Sequence, residues 1–350
     1  MRRKLHAAAF AAALALACAA APPPDLPAPP AEPVEACDGA GEASEVTVEY
    51  LRAGGLAIAY AGEALLTAPF YSNPSFVRVG LGLSLAPEPE RIPERPALLD
   101  GARVAGVLVG HAHYDHAMDV PAVLEKWRLA GVPVFGSRTA ASLLRAAAPG
   151  VEVVPVEPFA GERAARGRWL APQPGSRFRV MPLRSEHAPH AWPGIKLFSG
   201  HVEEPLASPP RSAYAWKEGQ THAFLIDLMA RDGLRPLLRI HYHDAASNPG
   251  IGWPPRELLA ERRVDLAVFC AASFALVRDH PQALLRELEP RHALAAHWED
   301  FSRDPRRPLR VVPRTDLPEL LERLRSTLPA GRFSVPRPGE RIRFRVCEAS

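Results

Sequence analysis

Three histidines and an aspartate fall within six positions, His111-Ala112-His113-Tyr114-Asp115-His116. As mere structure such a loop is costly. Each imidazole needs partners for two ring nitrogens, and the carboxylate needs a cation or several donors. A divalent metal meets these needs together: neutral imidazoles suit Zn²⁺ or Fe, and the carboxylate adds charge. His111 and His113 are two positions apart, so in extended backbone they point the same way and can grip one metal. Asp115 and His116 follow the turn and can serve a second metal about 3.5–4 Å away, the separation found in two-metal hydrolases. The competing reading is a surface loop that is rich in histidine by chance.

The elements around this loop must position it. Val107-Leu108-Val109-Gly110 reads as a buried strand that stops at a small residue and empties into the histidines. Upstream, residues 46–50, 56–60 and 64–67 read as short strands with Gly-containing turns, and 71–100 as a long Pro- and Arg-rich loop of the kind that walls a site. Downstream, helical spacing over 120–129 and 139–147 brackets a strand at 132–135. That alternation indicates a layered sheet covered by helices. Residues 151–183 read as several strands, the last delivering Glu186-His187. Residues 188–220 are irregular; their Trp192, Tyr214 and Trp216 either line a cleft or membrane-facing rim or pack under the loop. Strands at 222–229 and 237–244 flank Asp232-Gly233, a hairpin signal. Helices follow at 255–262, 282–288 and 317–328, with strands at 264–270, 292–297 and 342–346.

The six-residue run matches the His-x-His-x-Asp-His signature of the metallo-β-lactamase superfamily, and the chain resembles that family from about residue 46 to about 345. The resemblance implies an α/β fold, the αββα four-layer sandwich, with two divalent metals at one edge between the sheets. Zinc is the first choice and iron or manganese the alternatives. It implies a third histidine just past a strand end, His187, with His190 as the local competitor. It makes Asp244 the aspartate that bridges both metals, and His297, in the context His297-Trp298 with Phe301 beyond, the last ligand. One metal would be held by His111, His113 and His187, the second by Asp115, His116 and His297. His241 and His243 repeat the spacing of His111 and His113, and either could stand behind the ligands. In the family the strand at 64–67 usually ends in Asp-Pro. Ala68-Pro69 stands there in this chain, which removes an expected prop behind the ligands but no ligand.

The chemistry so implied is hydrolysis by a metal-bridged hydroxide, with Asp115 as a catalytic proton carrier. The Tyr114 variant of the signature, the Pro-rich loop after Ala68-Pro69 and the His297-Trp298 ending look like the subgroup of N-acylphosphatidylethanolamine phospholipase D and ascorbate-phosphate lactonase. That subgroup implies a phosphodiester, with phospholipids among the candidates, or else a lactone or another ester or amide. A reading of a different class is an envelope lipoprotein that binds metal without catalysis.

Composition narrows the partners. The 350 residues are 47% hydrophobic, enough for one large core plus a tail. A net charge of +3 implies no strong attraction to polyanions, so no nucleic acid is expected. Residues 1–18 read as an export signal: Arg2, Arg3 and Lys4, then an apolar run from Ala7 to Ala17, then Cys18 in the lipobox-like context Leu14-Ala15-Leu16-Ala17-Cys18. Cys18 would carry a lipid at the cell envelope; ordinary cleavage near Ala19-Ala20-Ala21 is the alternative. Residues 19–45 are Pro-, Ala- and acid-rich and read as a disordered, semi-extended tether to a hydrolase body over 46–350. No Cys-x-x-Cys pair is present, Cys270 reads as a core thiol, and Cys37 and Cys347 flank the body and can pair in an exported protein.

Overall fold

In the computed structural model, which describes residues 23–37, 41–190 and 193–348, the chain forms two sheets. The first part of the chain supplies β1 (Val34–Glu35), β2 (Glu42–Arg52), β3 (Gly55–Tyr60), β4 (Glu63–Thr67), β5 (Arg103–Leu108), β6 (Val134–Gly136) and β7 (Val153–Pro155). The second part supplies β8 (Phe178–Arg184), β9 (His222–Met229), β10 (Pro236–His243), β11 (Leu266–Cys270), β12 (His292–Ala296) and β13 (Phe333–Ser334). The last strand, β14 (Arg341–Glu348), returns to the first sheet. The orders are β1-β14-β2-β3-β4-β5-β6-β7 and β13-β12-β11-β10-β9-β8.

Residue patterns explain which faces meet. In β2, Val46, Val48 and Tyr50 alternate with Glu45, Thr47 and Glu49; in β14, Ile342, Phe344 and Val346 alternate with arginines. The apolar sets join Phe224, Ile226, Ile240, Tyr242 and Val268 in one core between the sheets. β11 and β12 are buried along their whole length and read as continuous apolar runs, as parallel strands covered on both faces do. Helices cover the outer faces. On the first sheet these are α1 (Phe76–Gly80), α2 (Tyr114–Ala117), α3 (Val120–Lys126) and α4 (Arg138–Ala147), packed through Val79, Leu124 and Leu144. On the second they are α5 (Arg256–Glu261), α6 (Gln282–Leu288) and α7 (Leu317–Thr327), packed through Leu284, Leu288 and Leu320 among others. The layers run helix, sheet, sheet, helix, which is the αββα sandwich expected.

The structure departs from the sequence reading in three places. Residues 71–100 are not loop throughout, because Ser75 caps α1 and Ala97–Leu99 form a 3-10 turn. Residues 151–183 hold two named strands, β7 and β8, rather than several; between them the described residues form isolated bridges at Gly161, Glu162 and Leu170. The tether reading does not describe residues 23–37, which lie along the body. β1 pairs in parallel with β14, Val335 N–H donates to Pro27 O at 2.8 Å, and Leu26 packs against the core under α6 and α7. A Pro-rich segment can do this without large side chains, since an open sheet edge needs only its backbone. The expected export signal, with Cys18, lies outside the described residues. No helix among the described residues is long and apolar enough to cross a membrane.

One buried polar cluster was not anticipated. Arg239, wholly buried on β10, donates to both carboxylate oxygens of Asp227 at 2.7 and 2.9 Å, and its backbone N–H donates to Asp265 at 2.8 Å. Arg179 adds a second guanidinium to Asp227, and Arg262 and Arg291 complete Asp265.

A disulfide joins Cys37 to Cys347 and closes the strap against β14. Alkylation of the urea-unfolded protein without reductant should leave both cysteines unlabelled. The paired Cys37→Ser, Cys347→Ser variant should lose about 2–5 kcal/mol in denaturant titrations.

Candidate metal centre

Strand direction brings the chemistry to one place. β4, β5 and β6 run parallel, and so do β10, β11 and β12, with β8 aligned to them through the antiparallel β9. The histidine loop follows β5, His187 follows β8, Asp244 follows β10 and His297 follows β12. All are therefore delivered from carboxyl ends of strands, the end at which layered α/β folds place ligands. The last two residues of the signature, Asp115 and His116, sit in the single turn of α2 with His113 at its N-cap.

The seven candidate side chains come together. The ligand atoms of His111, His113 and His187 form one set within 4.8 Å of one another, those of Asp115, His116 and His297 another, and those of His111, His116 and Asp244 a third that links the two. Asp244 Oδ1 lies 3.3 Å from His111 Nδ1, and Oδ2 lies 3.3 Å from His116 Nδ1. His297 Nε2 is 3.4 Å from Asp115 Oδ2 and 3.1 Å from His116 Nε2.

Whether these residues fit a metal can be tested on the atoms left over. His111 Nε2, His113 Nε2, His116 Nδ1, His297 Nδ1 and Asp244 Oδ2 are buried and have no hydrogen-bond partner among the described residues. Buried polar atoms rarely stay so. Burial holds His111 and His113 well below the usual imidazole range and brings His116 down to about 3, so all three rings are neutral and offer lone pairs. Burial pushes Asp115 up, but the adjacent His116 and His297 rings reverse this and leave the carboxyl low. His187 Nδ1 lies 2.6 Å from Ala188 O, which can only accept, so Nδ1 carries the proton and the Nε2 lone pair faces the cluster. Neutral imidazoles, carboxylates and orphaned lone pairs together are the donor set of a divalent cation.

His190, the local competitor, is in none of these sets; its Nδ1 accepts the backbone N–H of Leu197 at 3.0 Å. His241 and His243 do not stand behind the cluster either. Strand alternation turns them to the outer face of β10, where His241 Nε2 meets Gly252 O at 2.8 Å and His243 Nε2 meets Ser185 Oγ at 2.7 Å.

Several residues that position the cluster gave no sequence signal. A Cβ on Gly110 would sit 2.2 Å from Asp244 Oδ1, so only glycine lets β5 approach that carboxylate. His297 adopts φ +57°, a left-handed conformation unusual for a side chain with a Cβ. It is held there because its N–H donates to Ala53 O at 2.9 Å and to the Tyr50 hydroxyl at 3.1 Å. Tyr50 in turn donates to buried Glu299, whose other oxygen accepts Ala53 N–H at 2.8 Å. Behind Ala68, Asp119 accepts from Tyr71 N–H, Ser72 N–H and the Ser72 hydroxyl at 2.6–2.8 Å, which ties the start of the 71–100 segment to the histidine loop.

The cluster forms the floor of a cleft of about 400 Å³ whose walls are mostly apolar, including Phe76, Val79, Ile195, Phe198, Phe274 and Phe301. Trp216 is buried beneath the irregular segment, whereas Tyr214 is part-exposed at the cleft wall. Cys270 is a buried thiol, as expected, and burial pushes its pKa up; it also reaches the cleft at the end of β11.

No family model matches this sequence, and no curated protein does either. Among solved structures, the chain is similar to a metallo hydrolase from the hyperthermophilic archaeon Ignicoccus hospitalis, at 15% identity over 86% of this chain and 99% of that one, TM-score 0.48. It is similar to a metallo-β-lactamase fold protein from Bacillus subtilis, at 11% identity over 86% and 100%, TM-score 0.47. A third is an isothiocyanate hydrolase from Delia radicum gut bacteria, at 13% identity over 85% and 99%, TM-score 0.49.

Two substitutions and a control test this arrangement. Gly110→Ala should displace Asp244 and lower metal content measured by plasma emission, with far-ultraviolet dichroism unchanged; Gly150→Ala, where a Cβ meets nothing within 4 Å, should leave both as they were. Tyr50→Phe should lower stability by about 1–3 kcal/mol in urea, because buried Glu299 loses a donor. It should also weaken metal binding about 10- to 100-fold in chelator competition, as loss of a ligand's support does.

Proposed function

We propose that this chain is a metal-dependent hydrolase of the metallo-β-lactamase superfamily that acts on a phosphodiester carrying an apolar group. One observation carries the reading: two three-donor sets, linked by a third made of His111, His116 and Asp244, lie at the floor of an apolar cleft. His111, His113 and His187 would hold one divalent cation, and Asp115, His116 and His297 a second, with Asp244 between them. Such a pair, when bound, lowers the pKa of the water it holds towards about 7 and neutralises charge on the reacting oxygens.

The protein's own contribution is positional. Asp115 meets His116 and His297 through Oδ2, which leaves Oδ1 to accept a proton from the attacking water. Asp244, braced on Gly110, keeps His111 and His116 in fixed orientation. The phenyl rings of Phe76, Phe198 and Phe301 exclude water from above and receive the apolar part of the substrate. A lipid-derived phosphodiester fits that division between polar floor and apolar wall, and it accords with an envelope location anchored through Cys18.

The test is metal analysis followed by turnover of bis-p-nitrophenyl phosphate. Two metals per chain and hydrolysis reduced at least about 10²-fold by Asp115→Ala are expected. Hydrolysis of lactones with none of phosphodiesters would change the substrate class. Full metal occupancy with no turnover of phosphodiesters, lactones or β-lactams would leave a metal-binding protein and remove the enzyme.

A further inference from the structure

His187 and His190 stack with ring centroids 4.6 Å apart and planes 14° from parallel, yet their surroundings set opposite tautomers. The Ala188 carbonyl beside His187 Nδ1 can only accept, so His187 is protonated on Nδ1. The Leu197 N–H beside His190 Nδ1 can only donate, so His190 Nδ1 keeps its lone pair and the proton of the neutral ring is on Nε2. We propose that His190 is a catalytic hydrogen-bond donor whose Nε2–H binds a phosphoryl oxygen of the substrate at the metal-ligand cluster, and that it is not a metal ligand. The proposal rests on the hydrolase reading above and deepens it.

Three observations support the role. His190 lines the cleft next to His113 and His187, with ring centroids 5.3 and 4.6 Å away, so its ring lies at the edge of the cluster. No hydrogen bond of Nε2 is found among the described residues, while every other polar group of the residue is engaged. Its N–H donates to Ile195 O at 2.9 Å, and its carbonyl accepts from Ser273 Oγ at 3.3 Å. The ring is thus held from both sides of its backbone and through Nδ1, so the donor is fixed before substrate binds and needs no reorganisation. Phe198 stands edge-on to both His190 and His113 at 5.9 Å and keeps the surroundings apolar, which strengthens a hydrogen bond made there. The ring donates as it stands; no proton leaves it, and no bond to it forms.

The experiment uses the full, metal-loaded chain with His190→Ala and His190→Gln. Four readouts are taken: metal per chain, affinity for inorganic phosphate by calorimetry, kcat and KM for bis-p-nitrophenyl phosphate, and imidazole ¹⁵N–¹H correlation spectra. Expected are wild-type metal content in both variants, weaker phosphate binding in the alanine variant, and kcat lowered about 10²–10³-fold with KM little changed. Glutamine, whose amide can still donate, should recover part of both losses. The spectra should show a proton on Nε2 of His190 and on Nδ1 of His187. Loss of metal in His190→Ala, a proton on Nδ1 of His190, or unchanged kcat and phosphate affinity would each overturn the assignment. If the wild type turns over no phosphodiester, the hydrolase reading fails on its own account, and the tautomer and phosphate affinity still decide what His190 does.

Discussion

Buried lone pairs with no protein donor to meet them are the constraint on which the rest of this structure depends. Such atoms remain on His111, His113, His116 and Asp244, residues that the linked ligand sets bring together. Each would weaken the fold by about 1–3 kcal/mol if nothing completed it. Hydrogen bonds from within the chain meet only part of the demand: the His111 and His116 rings lie 3.3 Å from Asp244, but a neutral ring has one N–H to give and its other nitrogen keeps a lone pair. A cation satisfies the set at once. This explains why a fold with an extensive apolar core places so many polar side chains at one edge.

The two sheets turn that constraint into geometry. The parallel strands around β5 and the parallel strands β10 to β12 end at the same cleft, so ligands far apart in sequence arrive from rigid elements rather than from free loops. Rigidity carries a cost where His297 must turn left-handed, on the order of 1–3 kcal/mol for a residue with a side chain. The Tyr50–Glu299–Ala53 bonds offset it by fixing the same backbone from the neighbouring sheet. The core between the sheets is therefore coupled to the cluster: Tyr50 belongs to both.

The candidate ligands of the histidine loop were legible because they are local in sequence, whereas His187, Asp244 and His297, each at a strand end, were picked out by the order of motifs in the resembled family. His111 to His116 form one run, His297 closes an apolar strand, and Asp244 follows a strand in which apolar and polar residues alternate. What holds them was not legible, for physical reasons. Gly110 looks like any strand-ending glycine until the approach of Asp244 is known. Glu299 and Tyr50 are 249 positions apart, and nothing in either neighbourhood marks them as partners. The Asp227–Arg239–Asp265 cluster was hidden because charged residues inside a strand read as a solvated face, not as a buried network. The strap over 23–37 was misread because its composition forbids a core of its own, and composition says nothing about an open edge elsewhere that can receive it.

Ala68 shows how a site can lose one support and be held by another. The resemblance puts an aspartate there, and its absence would suggest decay if the ligands had no other brace. In this chain the preceding residue, Thr67, donates its hydroxyl to Gly54 O at 2.6 Å and accepts Leu56 N–H at 2.8 Å. The Tyr242 hydroxyl reaches the same Gly54 carbonyl at 2.8 Å from β10. Gly54 packs so closely that a Cβ there would lie 3.2 Å from both Asp244 Cβ and His116 Cε1. The neighbouring Ala53 carbonyl accepts the His297 N–H. One short backbone segment between β2 and β3 thus backs Asp244, His116 and His297 together. Its own position is set by two hydroxyls and a carboxylate, not by an aspartate pressed against a ligand. Position 68 carries no part of that bracing, and Ala68 lies buried within the apolar layer under α1 to α4.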